Sequence, residues 1–236
     1  MEDTKLPLLD HLEEIRRRCF VALFFLVLFS ALSFLYVNDI LRILKWPAGD
    51  RLGTLAVFSP TAAILSFIKI AFSCGLVLTV PVFLYELWMF IKPALDKDAA
   101  KNGLLFILSG SLLFVSGVLF SFFFLIPASL QFLLSVGRGE LEFIISLDSY
   151  ISFILVLALG GGVVFQMPML VFVLSKFGIL TAKRMAQSWR AAVVIILLAA
   201  AVITPTPDAV NMILMSLPMF MLYFLSIGVA RIAEKK

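Results

Sequence analysis

Six long apolar segments, each with few or no charges, divide the chain and limit its possible folds. They cover residues 19–37, 61–91, 103–134, 150–174, 191–203 and 209–230. A helix that crosses a bilayer needs about 20 apolar residues, at a rise of about 1.5 Å each. Hydrophobic residues make up 62% of the chain and charged residues 14%, which is too apolar for a water-soluble globule. We therefore predict an all-α polytopic membrane protein, with six transmembrane helices in a single domain over residues 1–236.

The last two segments are predicted to form short helices. Segment five has about 13 strongly apolar residues and would reach only about 20 Å. TPTPD at 204–208 then ends it, because two prolines cannot continue a helix. We expect segments five and six to form a hairpin that does not fill the bilayer and that thins it locally.

Lysine and arginine are distributed unevenly among the loops, which predicts the orientation of the chain. Fourteen of them lie in the two terminal tails and in the second and fourth loops, whereas four (Arg42, Lys45, Arg51 and Arg138) lie in the first and third loops. Positive residues favour the cytoplasmic side. Both termini are therefore predicted to be cytoplasmic. Residues 39–46 of the first outer loop are amphipathic and predict a short helix at the outer surface.

Few polar side chains interrupt the spans, so each of them is informative. Lys69 either snorkels to the outer interface or has a specific role. Glu86 is expected near the inner interface, in contact with water or a basic loop. Gln166 in FQMP needs a partner, which is either another helix of this chain or a docking transmembrane helix. GGG at 160–162 indicates close helix packing or a flexible bend.

Charges of both signs are concentrated just before the first span, in HLEEIRRRCF at 11–20. The three arginines would hold the N-terminus on the cytoplasmic side. Glu13 and Glu14 are not needed for that purpose and would weaken attraction to the membrane. They suit a cationic ligand that approaches the bilayer, because a guanidinium pairs with a carboxylate through two parallel hydrogen bonds.

Several classes of function are disfavoured by missing motifs. The sequence contains no phosphate-binding loop, zinc-protease motif or serine-hydrolase motif, and no paired carboxylates lie in the spans, so an enzyme is a poor hypothesis. His11, Cys19 and Cys74 predict no metal site. The net charge of +4 suits anionic lipid rather than nucleic acid. A small-molecule permease or secondary transporter is the alternative, although no matching pair of interrupted helices occurs earlier in the chain.

Five stretches follow one another in an order typical of a known family. They are HLEEIRRR, FSPTAAILSFIKIAF, PVFLYELWMFIKPAL, FQMP, and TPTPD followed by LPM. Together they resemble TatC, the multi-spanning receptor of the twin-arginine protein translocase. The resemblance implies six helices that form a concave, cupped wall in the cytoplasmic (inner) membrane. It also implies a receptor that is not an enzyme, has no cofactor, and binds signal peptides with two consecutive arginines on folded proteins.

Further implications of the resemblance concern partners and site residues. The partners would be TatA- and TatB-type single-span proteins, with self-association in a larger receptor complex and transport driven by the proton-motive force. By motif position, the signal-peptide site falls on Glu14, Arg16, Arg18, Phe90 and Asp98; partner-helix binding falls on Gln166, Thr204 and Asn211; the outer cap and structural roles fall on Pro47, Lys69 and Asp208.

The sequence departs from the family pattern at several of these positions. Ala99 stands where the family has a glutamate of the signal site, and Asp98 beside it is the candidate substitute. Ala62 replaces the glutamate of the SPxE motif. Gln166 replaces a buried glutamate, while Glu86 stands where the family has glutamine. We hypothesise that these last two exchanges compensate each other or accompany a divergent partner.

Overall fold

The computed structural model describes residues 6–51, 55–94, 103–136, 144–206 and 208–234, and these are helical almost throughout. The helices are α1 (Leu6–Leu35), α2 (Val37–Lys45), α3 (Pro60–Ile91), α4 (Gly103–Ser135), α5 (Leu147–Lys176), α6 (Ala182–Gln187), α7 (Trp189–Ile203) and α8 (Ala209–Glu234). Five of them are long and apolar enough to cross a membrane, and α7 is a shorter apolar helix. The predicted all-helical membrane fold is confirmed.

α4 changes its winding near its middle. A π-helical turn, Ser121–Leu125, comes directly before Ile126 and Pro127. Proline has no N–H to donate, and its ring crowds the carbonyl oxygen four residues earlier. The wider π turn moves that carbonyl away from the ring, so the helix continues through the proline.

The predicted close packing around the glycine triplet is confirmed. A Cβ atom at Gly161 would collide with the side chain of Ser121 in α4, and one at Gly160 would meet Ile203 of α7. These glycines let α5 approach both neighbouring helices, so α5 lies at the centre of the fold.

The loop that follows the first span contains the short amphipathic helix that the sequence predicts. α2 buries Val37 and Leu44 and exposes Arg42 and Lys45. The hydroxyl of Tyr150 in α5 donates a hydrogen bond of 2.9 Å to the carbonyl oxygen of Leu44. This bond fixes the end of α2 against the centre of the fold.

The two final helices differ in length. α7 has 15 residues and is short, as predicted. α8 has 26 residues, so the prediction that helix six is also short is wrong. Its last turns are held by polar contacts with α6: Ala182 N–H donates to Glu234 Oε1 at 2.5 Å, and Tyr223 O–H donates to the carbonyl oxygen of Met185 at 2.6 Å. The bond to Glu234 lies beyond the apolar segment 209–230, in the last turn of α8.

The spanning helices pack in a row. α1 contacts chiefly α3, α3 contacts α4 and α5, and α8 packs on α5 and α7. Fully buried Ile151 and Ile154 place the core around α5. In the apolar stretch of 18 residues within each helix, half of the residues of α5 are buried, against 6% of those of α1. α1 therefore stands at one end of the row with most of its apolar surface exposed, as suits a helix facing lipid.

Candidate functional site

A guanidinium lies between two carboxylates where α1 packs against α3. Arg18 donates through Nε and Nη2 to Glu14 Oε1, at 3.0 and 2.5 Å, and through Nη1 to Glu86 Oε2 at 2.9 Å. Glu14 and Arg18 are one helical turn apart on α1, so their side chains meet. Glu86 reaches them from α3, and only 15% of its side chain is exposed. The planar fork of arginine suits this double contact.

The three charges of this cluster do not cancel when both carboxylates are ionised, since two acids face one base. Each carboxylate also binds Arg18 through a single oxygen. The second oxygens, Glu14 Oε2 and Glu86 Oε1, make no hydrogen bond to any part of the chain that the structure describes. The cluster thus offers negative charge and two acceptor atoms beside an apolar surface, which suits a cationic ligand.

The structure places the other predicted signal-site residues differently. Arg16 lies away from the cluster and pairs with Glu13 at 3.0 Å, with side chains 68% and 70% exposed. Phe90 is partly buried and lies one turn beyond Glu86 on the same side of α3. Asp98 lies outside the described residues, so the prediction for it stays a prediction.

Gln166 has a partner within the chain. Its side-chain Nε2–H donates a hydrogen bond of 2.8 Å to the carbonyl oxygen of Gly110 in α4. The amide lies just before Met167 and Pro168, where the helix of α5 is briefly interrupted. The sequence allowed two kinds of partner for Gln166, another helix of this chain or a docking helix, and this bond is of the first kind. The amide oxygen makes no hydrogen bond within the described ranges, so docking of a further helix stays a prediction.

The turn between α7 and α8 is built around the buried side chain of Asn211, which is 1% exposed. Its Nδ2 donates to Thr206 Oγ1 at 2.9 Å and to Asp208 Oδ2 at 2.8 Å, and its backbone N–H donates to Asp208 Oδ1 at 2.7 Å. Asn211 Oδ1 and the buried Thr204 hydroxyl have no hydrogen-bond partner in the described chain. The turn is therefore fixed internally and keeps two unsatisfied polar atoms.

These hydrogen bonds also set the ionisation of Asp208. Partial burial opposes its negative charge, but the bonds from the backbone and side chain of Asn211, from Thr206 and from the Val210 backbone outweigh that effect. They hold the pKa of Asp208 below its ordinary value.

The opposite surface of the fold carries a second charge cluster. Lys69 Nζ in α3 donates to Asp148 Oδ1 at 2.6 Å and to Ser152 Oγ at 2.9 Å, both in α5. Nearby, Pro47 is buried, and Trp46 stacks on Phe122 with a centroid distance of 6.0 Å. These contacts join α4 and α5 to the loop that follows the first span.

Two residues of these clusters were not among the predicted site residues. Glu86 was placed near the inner interface without a defined partner, and Asp148 was not identified. Both pair with residues far away in the sequence, 68 and 79 positions apart respectively. The available signals were a charge within an apolar segment for Glu86 and a charge two residues before one for Asp148, and neither signal names the partner. Within the described ranges, no three His, Cys, Asp or Glu side chains come together as a metal-binding set.

Comparison with known proteins gives one consistent family. The family model described as Sec-independent protein translocase protein (TatC) matches residues 10–218. Sec-independent protein translocase protein TatC of Aquifex aeolicus (strain VF5) is 34% identical over 235 residues, covering 98% of this chain and 97% of the relative. TatCd of Bacillus subtilis (strain 168) is 33% identical over 236 residues, covering 100% and 96%.

A solved structure agrees with these sequence relatives. The chain is similar to the crystal structure described as Twin Arginine Translocase Receptor-TatC, with a TM-score of 0.83 and 33% identity. The similarity covers 94% of this chain and 99% of that one. A crystal structure of the same receptor in DDM also gives a TM-score of 0.83.

Proposed function

The chain belongs to the TatC family of Sec-independent protein translocase proteins, and we propose that it is the subunit that binds twin-arginine signal peptides. The observation that carries this proposal is the Arg18 cluster, in which Glu14 and Glu86 each keep a carboxylate oxygen without a partner in the described chain. A guanidinium of the signal peptide would bind these oxygens, and the adjoining α1 surface would contact its apolar segment.

The cluster favours arginine over lysine in the ligand. A guanidinium presents several N–H donors in one plane and can reach both unpartnered oxygens, whereas an ammonium acts as a point charge. Phe90, one turn from Glu86, would contact the aliphatic or planar part of the same side chain. Arg16 and Asp98 complete the proposed site as residues that contact the signal peptide outside this cluster.

Photo-crosslinking in membrane vesicles tests the proposal. A benzoylphenylalanine replaces Phe90, an aromatic for an aromatic, and the vesicles receive a substrate with an Arg-Arg signal or its Lys-Lys twin. We expect strong labelling of the first and weak labelling of the second. Glu14→Gln should reduce Arg-Arg labelling at least about tenfold, since hydrogen bonds to charged groups contribute about 1.5–3 kcal/mol each.

Glu13→Gln is the matched control, because it removes the same charge one residue away, where Glu13 pairs, among the residues that the structure describes, with the exposed Arg16 alone. Equal labelling of the two signals, or equal loss in Glu13→Gln and Glu14→Gln, would contradict the proposal.

We further propose that TatA- and TatB-type single-span proteins dock at the α7–α8 hairpin and near Gln166. Thr204 and Asn211 each keep an unsatisfied polar atom there, and the Gln166 amide oxygen is unpartnered within the described chain. Val202, 85% exposed on α7, gives a site for testing. After Cys19 and Cys74 are replaced by alanine, Val202→Cys should form disulfides with a cysteine in the partner's membrane helix. Leu112→Cys, exposed on α4, should not.

The orientation and transport cycle belong to the same proposal. Both termini would be cytoplasmic in the inner membrane, copies of the chain would assemble in a larger receptor complex, and the proton-motive force would drive export. A cysteine added at either terminus should react with a membrane-impermeant maleimide only after the vesicle face that was cytoplasmic is exposed. A small-molecule permease is not favoured, and proteoliposomes containing this chain alone should show no solute flux.

A further inference from the structure

A groove lies between the start of α7 and the last turns of α8. Its volume is about 480 Å³. It is lined by Ala186, Trp189, Phe224, Ile227, Gly228 and Arg231. Phe224, Gly228 and Arg231 follow one another along one face of α8, since they are spaced by four and three residues. The groove is therefore apolar at Phe224, toward the middle of α8, and basic at Arg231, near the end of α8.

The floor of the groove is open because of a glycine. A Cβ atom at Gly228 would meet no atom within 4 Å, so this glycine is not required for helix packing. Glycine inside a helix costs about 1 kcal/mol relative to alanine. Gly228 lowers the stability of the helix and is not needed for a contact within the chain. The space beside it is therefore open to a ligand.

The walls of the groove are fixed. α6 is held to α8 by the bond from Tyr223 O–H to Met185 and by the bond from Ala182 N–H to Glu234 Oε1. The second of these bonds also engages the Glu234 carboxylate, and residues 182–233 contain no acid other than Asp208, at the far end of α8.

One arginine, Arg231, lines the groove and gives it a positive charge, and a second, Arg190, lies against the Trp189 ring. Arg190 places its guanidinium carbon 5.6 Å from the centroid of the Trp189 ring, and that ring lines the groove together with Arg231 of α8. Neither arginine forms an ion pair with a residue in the described chain. Trp189 is half exposed, as is typical of a tryptophan at the level of lipid head groups.

We propose that this groove binds an anionic phospholipid. Arg231 would hold the phosphate oxygens, because a guanidinium binds phosphate through paired hydrogen bonds, and Arg190 beside Trp189 would add positive charge. The Trp189 ring would lie beside the ester groups, and one acyl chain would run over Gly228 past Phe224. Basic pockets between transmembrane helices are suited to such head groups. The site is separate from the proposed signal-peptide site on α1 and α3 and does not depend on it.

Fluorescence quenching by brominated lipid tests this site in the purified full-length chain, reconstituted in nanodiscs. Brominated phosphatidylglycerol or brominated phosphatidylcholine is added at equal mole fraction to a phosphatidylcholine background. The chain has three tryptophans, and subtracting the signal of Trp189→Phe isolates Trp189. We expect half-maximal quenching of Trp189 at an approximately fivefold lower fraction of the anionic lipid, the preference that one well-placed arginine supplies.

Two variants decide whether the groove causes that preference. Arg190→Gln with Arg231→Gln should abolish it, and Gly228→Leu should abolish it by filling the floor. Arg17→Gln with Lys92→Gln removes the same charge elsewhere and should leave it intact. Gly228→Ala adds a single methyl group without a clash and serves to show that helix folding is unaffected.

Three quenching results with the chain alone would overturn the proposal. They are equal quenching by the two lipids, a preference that survives the double arginine substitution, and a preference that survives Gly228→Leu. Protection of Trp189 from both lipids by a single-span partner protein, in the same nanodiscs, would assign the groove to that partner and would also overturn it.

Discussion

Lys69 and Asp148 form an ion pair between α3 and α5, with Nζ and Oδ1 2.6 Å apart. Their side chains are 42% and 40% exposed, so the pair is only partly shielded by the rest of the protein. Ser66 Oγ lies 3.4 Å from the same Asp148 oxygen, and Ser152 accepts a further bond from Lys69. The pair therefore belongs to a small polar network within apolar helices and joins two of them.

This pair should stabilise the fold modestly. We expect a coupling free energy of about 1 kcal/mol between Lys69→Met and Asp148→Asn, because half-exposed pairs are weakened by solvent. The measurement is a double-mutant cycle on thermal unfolding of the purified protein in detergent. Strictly additive effects of the two substitutions would show that the pair contributes no stability.

Arg18→Lys should weaken the contact between α1 and α3 although it keeps the charge. A lysine ammonium cannot reproduce the planar fork that bonds Glu14 and Glu86 together. We expect a loss of about 1.5–3 kcal/mol in the free energy of unfolding, the value of one hydrogen bond to a charged group. Arg16→Lys is the control, since its pair with Glu13 is exposed and should change stability by less than about 0.5 kcal/mol. Equal effects of the two substitutions would contradict the assignment.

The exchange of Glu86 and Gln166 relative to the family pattern can now be tested against structure. Glu86 bonds to Arg18, whereas Gln166 bonds to Gly110, so the two residues have separate partners. We therefore expect Glu86→Gln and Gln166→Glu to act additively within about 0.5 kcal/mol, rather than to compensate each other. Thermal unfolding of both single variants and the double variant provides the measurement. A double variant more stable than the sum of the single effects would restore the hypothesis of compensation.

Asp208 should make the stability of the hairpin depend on pH. Its pKa is lowered in the folded protein, so its ionised form stabilises the fold at every pH above the ordinary aspartate value of about 4. That contribution is lost as the pH falls through the lowered folded pKa. The difference in melting temperature between the natural chain and Asp208→Asn should be largest at pH 7 and should shrink below about pH 4. Asp39→Asn, which removes an exposed carboxylate 3.5 Å from Arg42, should show no comparable trend.

Much of this fold follows from the sequence, because a bilayer permits few alternatives. Backbone polar groups in lipid must be satisfied within a helix, so each long apolar segment specifies a helix and its approximate length. The short α7 and the amphipathic α2 follow from residue counts and periodicity in the same way. The length of α8 follows in the same way, because its apolar segment 209–230 has 22 residues, and the prediction of a short helix there disregarded that count.

The candidate site was only partly predictable. Position in the sequence identified Glu14 and Arg18, which share one face of one helix. The second carboxylate, Glu86, is 68 positions from Arg18, and its contact depends on how α1 and α3 are rotated against each other. Hydropathy says nothing about that rotation. The same limit applies to Asp148 and to the choice between the two partners that Gln166 could have had.

The short length of α7 has an electrical consequence. Its 15 residues span about 22 Å, against about 30 Å for the hydrocarbon of a typical bilayer. A bilayer that adapts to this helix is thinner beside it. The whole membrane potential, about 2.3 kcal/mol per elementary charge for each 100 mV, then falls over a shorter distance there. In such a thinned bilayer the electric field beside α7 is stronger by about a third, so a charge that moves past α7 experiences a larger force than a charge elsewhere along the protein.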